Sequence, residues 1–207
     1  LSIEPTRPEA HNILGVALLA SGQVSSARAA FTEALRLNPG LAPAHDNLGR
    51  LCKSEGMLDE AVRHFRAALA GKRPAEAFLP ANTPGTIEHW LRNEHYRDEE
   101  EFVYAIAEAM REEYQAIVAA GFLLQIDDPD LPDGWQMYPE MSVRDYRKYA
   151  TLRVDALNHA LRGIPLEKIR LHVCWGSFHG PHQHDIALEH IIDIIFRVRA
   201  SSYSIEA

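Results

Sequence analysis

Residues 10–37, AHNILGVALLASGQVSSARAAFTEALRL, and residues 44–71, AHDNLGRLCKSEGMLDEAVRHFRAALAG, carry one pattern twice, 34 positions apart. Ala10 falls on Ala44, His11 on His45, Leu14 on Leu48 and Gly15 on Gly49. Further on, Gly22 falls on Gly56, Ala27 on Ala61, Phe31 on Phe65 and Leu35 on Leu69. Small residues recur where two helices must approach closely, and large ones recur where they fill the gap. Each unit therefore reads as two helices. In the second, residues 43–55 predict one helix, Gly56-Met57 a turn, and residues 58–70 the other. Asp59 and Glu60 place negative charge where the helix dipole favours it. Ala61, Phe65 and Leu69 lie four apart on one face.

A period of 34 with Leu-Gly early, Gly-x4-Ala-x3-Phe next and Pro between units resembles the tetratricopeptide repeat. The resemblance implies helical hairpins over residues 1–71 and a peptide- or partner-binding scaffold, with a partnerless packing module as the equal alternative. Residues 1–5, LSIEP, align with residues 35–39, LRLNP, so the chain is expected to begin inside an earlier repeat. Two units fall short of the roughly three that such arrays need, so further repeats or another packing surface are expected. His11, His45 and His64 have no metal partners nearby in sequence and read as helix-surface residues.

Composition sets the outer bounds. The 207 residues are 46% hydrophobic and 24% charged, the profile of a folded domain rather than a disordered chain. A net charge of −8 argues against a broad nucleic-acid surface. Residues 191–198 form an apolar run broken by Asp193 and Arg197, so no membrane span is expected. Two cysteines, Cys52 and Cys174, make no disulfide framework and point to a reducing, cytoplasmic compartment. Of the eleven histidines, six fall between His159 and His190.

Beyond a Gly/Pro junction at residues 70–77 the pattern alternates. Residues 78–81, FLPA, are a short apolar run leading to a Pro/Gly loop. Phe102, Ile106, Met110, Tyr114 and Ile117 predict a helix over residues 98–119. Residues 122–126, FLLQI, read as a buried strand, followed by a loop of about a dozen residues. Ser142 with Asp145 opens a second helix in a capping box. Residues 169–174 are the next strand, residues 186–198 a third helix, and residues 203–206 the start of a last strand. This order predicts parallel βαβ units. It makes residues 75–207 an α/β part of (β/α) barrel type, with polar residues at the strand ends where such barrels hold their sites.

His172 and Cys174 are two apart on one strand and share a face. Glu206 ends the next. Imidazole, thiolate and carboxylate at one mouth suit zinc, although on spacing alone a barrel-lining His and a buried Cys is the commoner meaning. Family resemblance adds weight. Residues 83–87 (TPGTI) with Trp90, 116–129 (AIVAAGFLLQIDDP), 156–164 (ALNHALRGI), 171–181 (LHVCWGSFHGP) and 204–206 (SIE) resemble, in order, the catalytic barrel of cobalamin-independent methionine synthases.

That resemblance implies zinc held by His172, Cys174 and Glu206. It implies Asp127 on the amino group of homocysteine, with Asp128, where the family has Glu, helping to hold that ammonium. Asp133 and Trp90 would face 5-methyltetrahydrofolate. A further cysteine ligand and a general-acid histidine are implied downstream of Ala207. Methyl transfer needs a thiolate, which zinc coordination supplies, and a proton for the leaving folate nitrogen. Alternatives are a related zinc thiol alkyltransferase using another small thiol, or a non-catalytic repeat protein. The segment 179–185, HGPHQHD, reads as a polar loop over the barrel mouth rather than a second metal site. His159 and His190 read as helix residues facing solvent or a packing seam. About 130 residues against roughly 250 for a full barrel lead to the expectation of a fragment holding part of a site.

Overall fold

Gly22 and Gly56 both sit at φ +76°, in the left-handed region that residues with a Cβ avoid. They turn the chain at matching points of the two repeats. The first hairpin is α1 (Pro8–Ala20) and α2 (Val24–Leu37), and the second is α3 (Ala42–Ser54) and α4 (Leu58–Ala68). Both first helices open with Pro in their first turn, where its missing N–H costs nothing. Gly15 packs against Phe31 and Gly49 against Phe65 so tightly that a Cβ would lie 2.4 Å and 2.6 Å from the rings. Phe31, Ala27 and Leu48 are buried together, with Leu18, Leu19 and Leu35 packed around them.

This computed structural model describes residues 7–175 and 184–206. They fall into two compact units, the first ending at Ala75 and the second beginning at Glu76. The second unit runs β1 (Phe78–Asn82), α5 (Pro84–His89), α6 (Glu99–Ala119), β2 (Leu123–Asp128), α7 (Asp130–Met137), α8 (Val143–Ala160), β3 (Ile169–Cys174), α9 (Ile192–Ile195) and β4 (Ser202–Glu206). The strands form one parallel sheet in the order β1-β2-β3-β4.

Strand periodicity of two sorts the sheet into two faces. Leu124, Ile126, Ile169, Leu171 and Val173 are buried on one. Phe102, Val103 and Tyr114 of α6 and Tyr146, Val154 and Leu157 of α8 are buried in the same unit, and α6 packs on β1, β2 and α8. Ser142 caps α8 by accepting from Asp145 N–H (3.2 Å), as the capping box predicts. Asp98 caps α6 in the same way, accepting from Glu101 N–H at 2.9 Å.

Three local expectations are corrected. The Pro/Gly loop after β1 contains α5, because Thr83 caps it and Pro84 sits in its first turn. The loop after β2 contains α7 despite Pro132 and Gly134. Asp128 accepts from Leu131 N–H (3.1 Å) and Tyr146 donates to the Leu131 carbonyl (2.7 Å), which holds that first turn. The single helix over residues 186–198 is instead a 3₁₀ turn at Leu188–His190 followed by α9. Ile191 interrupts it at φ −132°, while Ile186, Ile191, Ile194, Ile195 and Val198 are all buried. Those isoleucines follow the needs of a packed connector, not a helical stripe.

Candidate functional site

The other face of the sheet is polar. Parallel register sets Asn82 beside Asp127, Asp127 beside His172 and His172 beside Ser204, one row across all four strands. The row before it is Pro80, Gln125, Arg170 and Ser202. Beyond both, Cys174 pairs with Glu206. Asp127, His172 and Cys174 are half-buried and Glu206 is exposed, all at the C-terminal ends of their strands.

Neighbours orient this face. Gln125 Nε2 donates to Asp127 Oδ1 at 2.8 Å, and Gln125 Oε1 accepts from Arg170 Nε, also at 2.8 Å. The Arg170 guanidinium lies 4.1 Å from the centre of the Phe78 ring. Asp127 is thus fixed by a chain of hydrogen bonds across two strands. Gln125 and Arg170 were not among the sequence candidates. Their signal is the alternation over residues 125–127 (QID) and 169–174 (IRLHVC), where every second residue is polar.

Asp128 stands apart from Asp127. Successive strand residues point to opposite faces, and Asp128 is 4% exposed on the helix side. Of the two aspartates, Asp127 alone is on the polar face of the sheet. Asp128 accepts from the Thr83 hydroxyl (3.3 Å) and Leu131 N–H (3.1 Å). Burial first, and then nearby Asp130, push its carboxyl up to about 7, against those two hydrogen bonds.

A buried polar group lies next to it. Arg153 grips Glu88 through two nitrogens, at 2.8 Å and 2.9 Å from Nη2 and 3.2 Å from Nε, and stacks 3.4 Å over the Tyr149 ring. Burial raises the Glu88 carboxyl even against Arg153. His89 Nδ1 is 3.5 Å from Asp130, whose carboxyl is also raised by burial. These contacts tie α5 to α8 and α7 and so fix the ends of β1 and β2. Tyr114 donates to the Asn82 carbonyl at 2.5 Å and anchors β1 from α6.

The remaining candidates are more open. Trp90, just after α5, is 78% exposed. Asp133 on α7 accepts from Gln136 Nε2 (3.0 Å), which also donates to Asp185 (2.9 Å). Trp175 donates to the Ile186 carbonyl at 2.9 Å and pins the chain on either side of the histidine-rich segment. His179 and His182 of that segment lie outside the described residues, while His184 is exposed. His159, expected at solvent or a seam, contacts Glu108 and Arg162.

The donor atoms of His172, Cys174 and Glu206 share a face without being gathered into one cluster. Among the described residues, the three-donor grouping whose ligand atoms lie within 4.8 Å of one another is Cys52, Glu60 and His64, in the first unit. The expectation that His64 is an ordinary surface residue is corrected: its side chain is 19% exposed and sits between α3 and α4. The overlooked signal is Glu60 with His64, four apart on one helix.

Family models described as tetratricopeptide repeat match residues 8–41 and 42–70. Residues 8–70 are tetratricopeptide repeats. The repeat explains the paired glycines and phenylalanines of the hairpins. Over about half its length the chain is also similar to curated proteins named methionine synthase. One, from Saccharolobus solfataricus, is 31% identical over 111 residues, 52% of this chain and 30% of that protein. Another, from Pyrococcus furiosus, is 32% identical over 101 residues, 48% of this chain and 26% of that protein. The chain spans less than a third of these relatives' length. No helix among the described residues is long and apolar enough to cross a membrane.

Proposed function

We propose that the polar face of the second unit is the substrate side of a zinc-dependent thiol methyltransferase of methionine-synthase type. The observation that carries this reading is the row Asn82–Asp127–His172–Ser204 with Cys174 and Glu206 in register beyond it. Nitrogen, sulfur and oxygen donors share one face at the strand ends, in a chain whose relatives are named methionine synthase. The strand order follows the chain without reversal, which is the winding of a (β/α) barrel. In that architecture the polar face is the barrel interior, and residues 75–207 are its part of the chain.

The donor set fits zinc. Register neighbours such as Cys174 and Glu206 lie about 4.8 Å apart along the sheet, and same-face neighbours such as His172 and Cys174 about 7 Å. Side chains of this length span those gaps to bonds of about 2.0–2.3 Å. Bound zinc would hold an incoming thiol as the thiolate, the nucleophilic form. Asp127, held by Gln125, offers its carboxylate to the ammonium group of homocysteine. Asp133 and Trp90 offer a hydrogen-bond acceptor and a flat apolar surface to 5-methyltetrahydrofolate. Two cysteines in no disulfide agree with a cytoplasmic setting. Through the repeats, the protein would also hold a peptide or protein partner; Ile13 and Val16 present apolar surface on α1 for it.

Cobalt(II), which takes zinc sites and reports thiolate ligation by its absorption, tests the site. In a Cys52→Ser chain, thiolate-to-cobalt absorption is expected and should vanish on adding Cys174→Ser. Absence of that absorption in the Cys52→Ser chain overturns the ligand assignment.

A further inference from the structure

Cys52 lies on α3, and Glu60 and His64 lie one turn apart on α4, in the second repeat. The 34-residue shift places Leu18, Ser26 and Ala30 at the equivalent positions of the first repeat. The hairpin therefore packs without these donors, and their convergence is not a requirement of the repeat.

The hydrogen bonds around His64 set where its lone pair points. His45 Nε2 is 2.9 Å from the Pro39 carbonyl. A carbonyl only accepts, so His45 carries its proton on Nε2 and, when neutral, presents a lone pair at Nδ1. His45 Nδ1 is 2.9 Å from His64 Nδ1. His64 must then donate from Nδ1, which leaves its Nε2 unprotonated. Burial and the neighbouring His45 lower the His64 pKa, which favours this neutral form. His64 Nε2 lies 3.9 Å from Glu60 Oε1. Cys52 Sγ completes a trio of ligand atoms within 4.8 Å of one another.

Lone pairs of nitrogen, oxygen and sulfur brought this close attract a cation. In a tetrahedral zinc site with bonds of about 2.0–2.3 Å, ligand atoms stand roughly 3.5 Å apart, close to the His64–Glu60 separation. Arg28 Nη1 lies 3.6 Å from Cys52 Sγ, and Arg28 is itself paired with Glu55, which offsets its repulsion of a metal ion. His45, fixed by the Pro39 carbonyl, is the outer partner that orients a metal-binding imidazole. Glu60 is part-exposed and gives an ion a way in.

We infer that Cys52, Glu60 and His64 form a binding site for a divalent cation of zinc type within the second tetratricopeptide repeat, with water completing the shell. Sulfur and imidazole select against magnesium and calcium. The ion clamps α3 to α4, so its role is to stabilise the repeat and set its surface, separate from any chemistry in the second unit.

The chain has two cysteines, so a Cys174→Ser chain has Cys52 as its sole thiol. Cobalt(II) added to that variant is expected to give thiolate-to-metal absorption at one equivalent, independent of protein concentration. Zinc should displace the cobalt and raise the unfolding temperature. His64→Asn or Glu60→Gln in the same background is expected to weaken binding at least tenfold, and His45→Phe by 10- to 100-fold. Two results overturn the inference: no thiolate absorption in Cys174→Ser, or unchanged affinity after His64→Asn. Neither depends on the second unit's site, which the Cys52→Ser chain reports separately.

Discussion

Gly49 lies against the ring of Phe65 so closely that a Cβ there would stand 2.6 Å from Cε1. Real carbon atoms do not approach to that distance, so a methyl group at Gly49 forces the ring or the helix aside. Gly49→Ala is expected to destabilise the repeat by about 1–3 kcal/mol, the usual cost of overpacking. Urea unfolding followed by far-ultraviolet circular dichroism measures it. Adding Phe65→Leu should recover part of the loss; if the double variant is no better than the single, the ring is not the obstacle.

Arg153 and Glu88 form a buried two-nitrogen ion pair between α8 and α5. Removing one partner leaves a buried charge unpaired, which costs about 3–5 kcal/mol. Arg153→Met should therefore be strongly destabilising, and Arg153→Met with Glu88→Gln should cost less than Arg153→Met alone. A thermal-unfolding double-mutant cycle tests this, and additive losses would contradict it.

Asp128 is an acid whose folded-state carboxyl is raised to about 7, chiefly by burial. The folded chain then holds a proton that the unfolded chain releases near pH 4. Stability from this group is fully present below about pH 4 and declines as pH rises through about 7. Asp128→Asn keeps an acceptor for Leu131 N–H and Thr83 but cannot ionise. The variant should flatten the slope of unfolding free energy between pH 4 and pH 7, by a few kcal/mol at most. An unchanged slope would assign the pH response to other groups.

Trp90 is a surface side chain with an assigned ligand. Trp90→Ala should move stability by less than about 0.5 kcal/mol, since little is packed on the ring. If the ring stacks on the pterin of methyl-folate, its loss should weaken methyl-folate binding about tenfold, equivalent to about 1.4 kcal/mol of stacking. Equilibrium dialysis on both proteins decides; equal affinities would remove Trp90 from the site.

The sequence was most readable where its signals were local and repeated. The 34-residue shift located α1 to α4 because close helix packing imposes the same glycine and phenylalanine in each unit. The strands β2 and β3 were legible as apolar runs, α6 as a helical stripe and α8 from its cap at Ser142, while the cap at Asp98 emerged only in the structure. The helix α7 was hidden because Pro132 and Gly134 read as breakers, while the groups that hold it, Asp128 and Tyr146, come from outside it. The Glu88–Arg153 pair, 65 residues apart, was invisible for the same reason. Sharing a face was predictable for His172 and Cys174, two apart on one strand. The opposition of Asp127 and Asp128 follows from the same strand geometry, which sets neighbouring residues on opposite faces.

The alternation along β2 and β3 has a consequence for how this protein tolerates change. Leu124, Ile126, Ile169 and Leu171 face the helices and answer to packing, so substitution there threatens the whole unit. Gln125, Asp127, Arg170 and His172 face the other way and answer to what they touch. A library randomising these two strands should recover alternating rows of intolerance and freedom. The scaffold can thus hold still while its chemistry drifts, residue by second residue, across the same two strands.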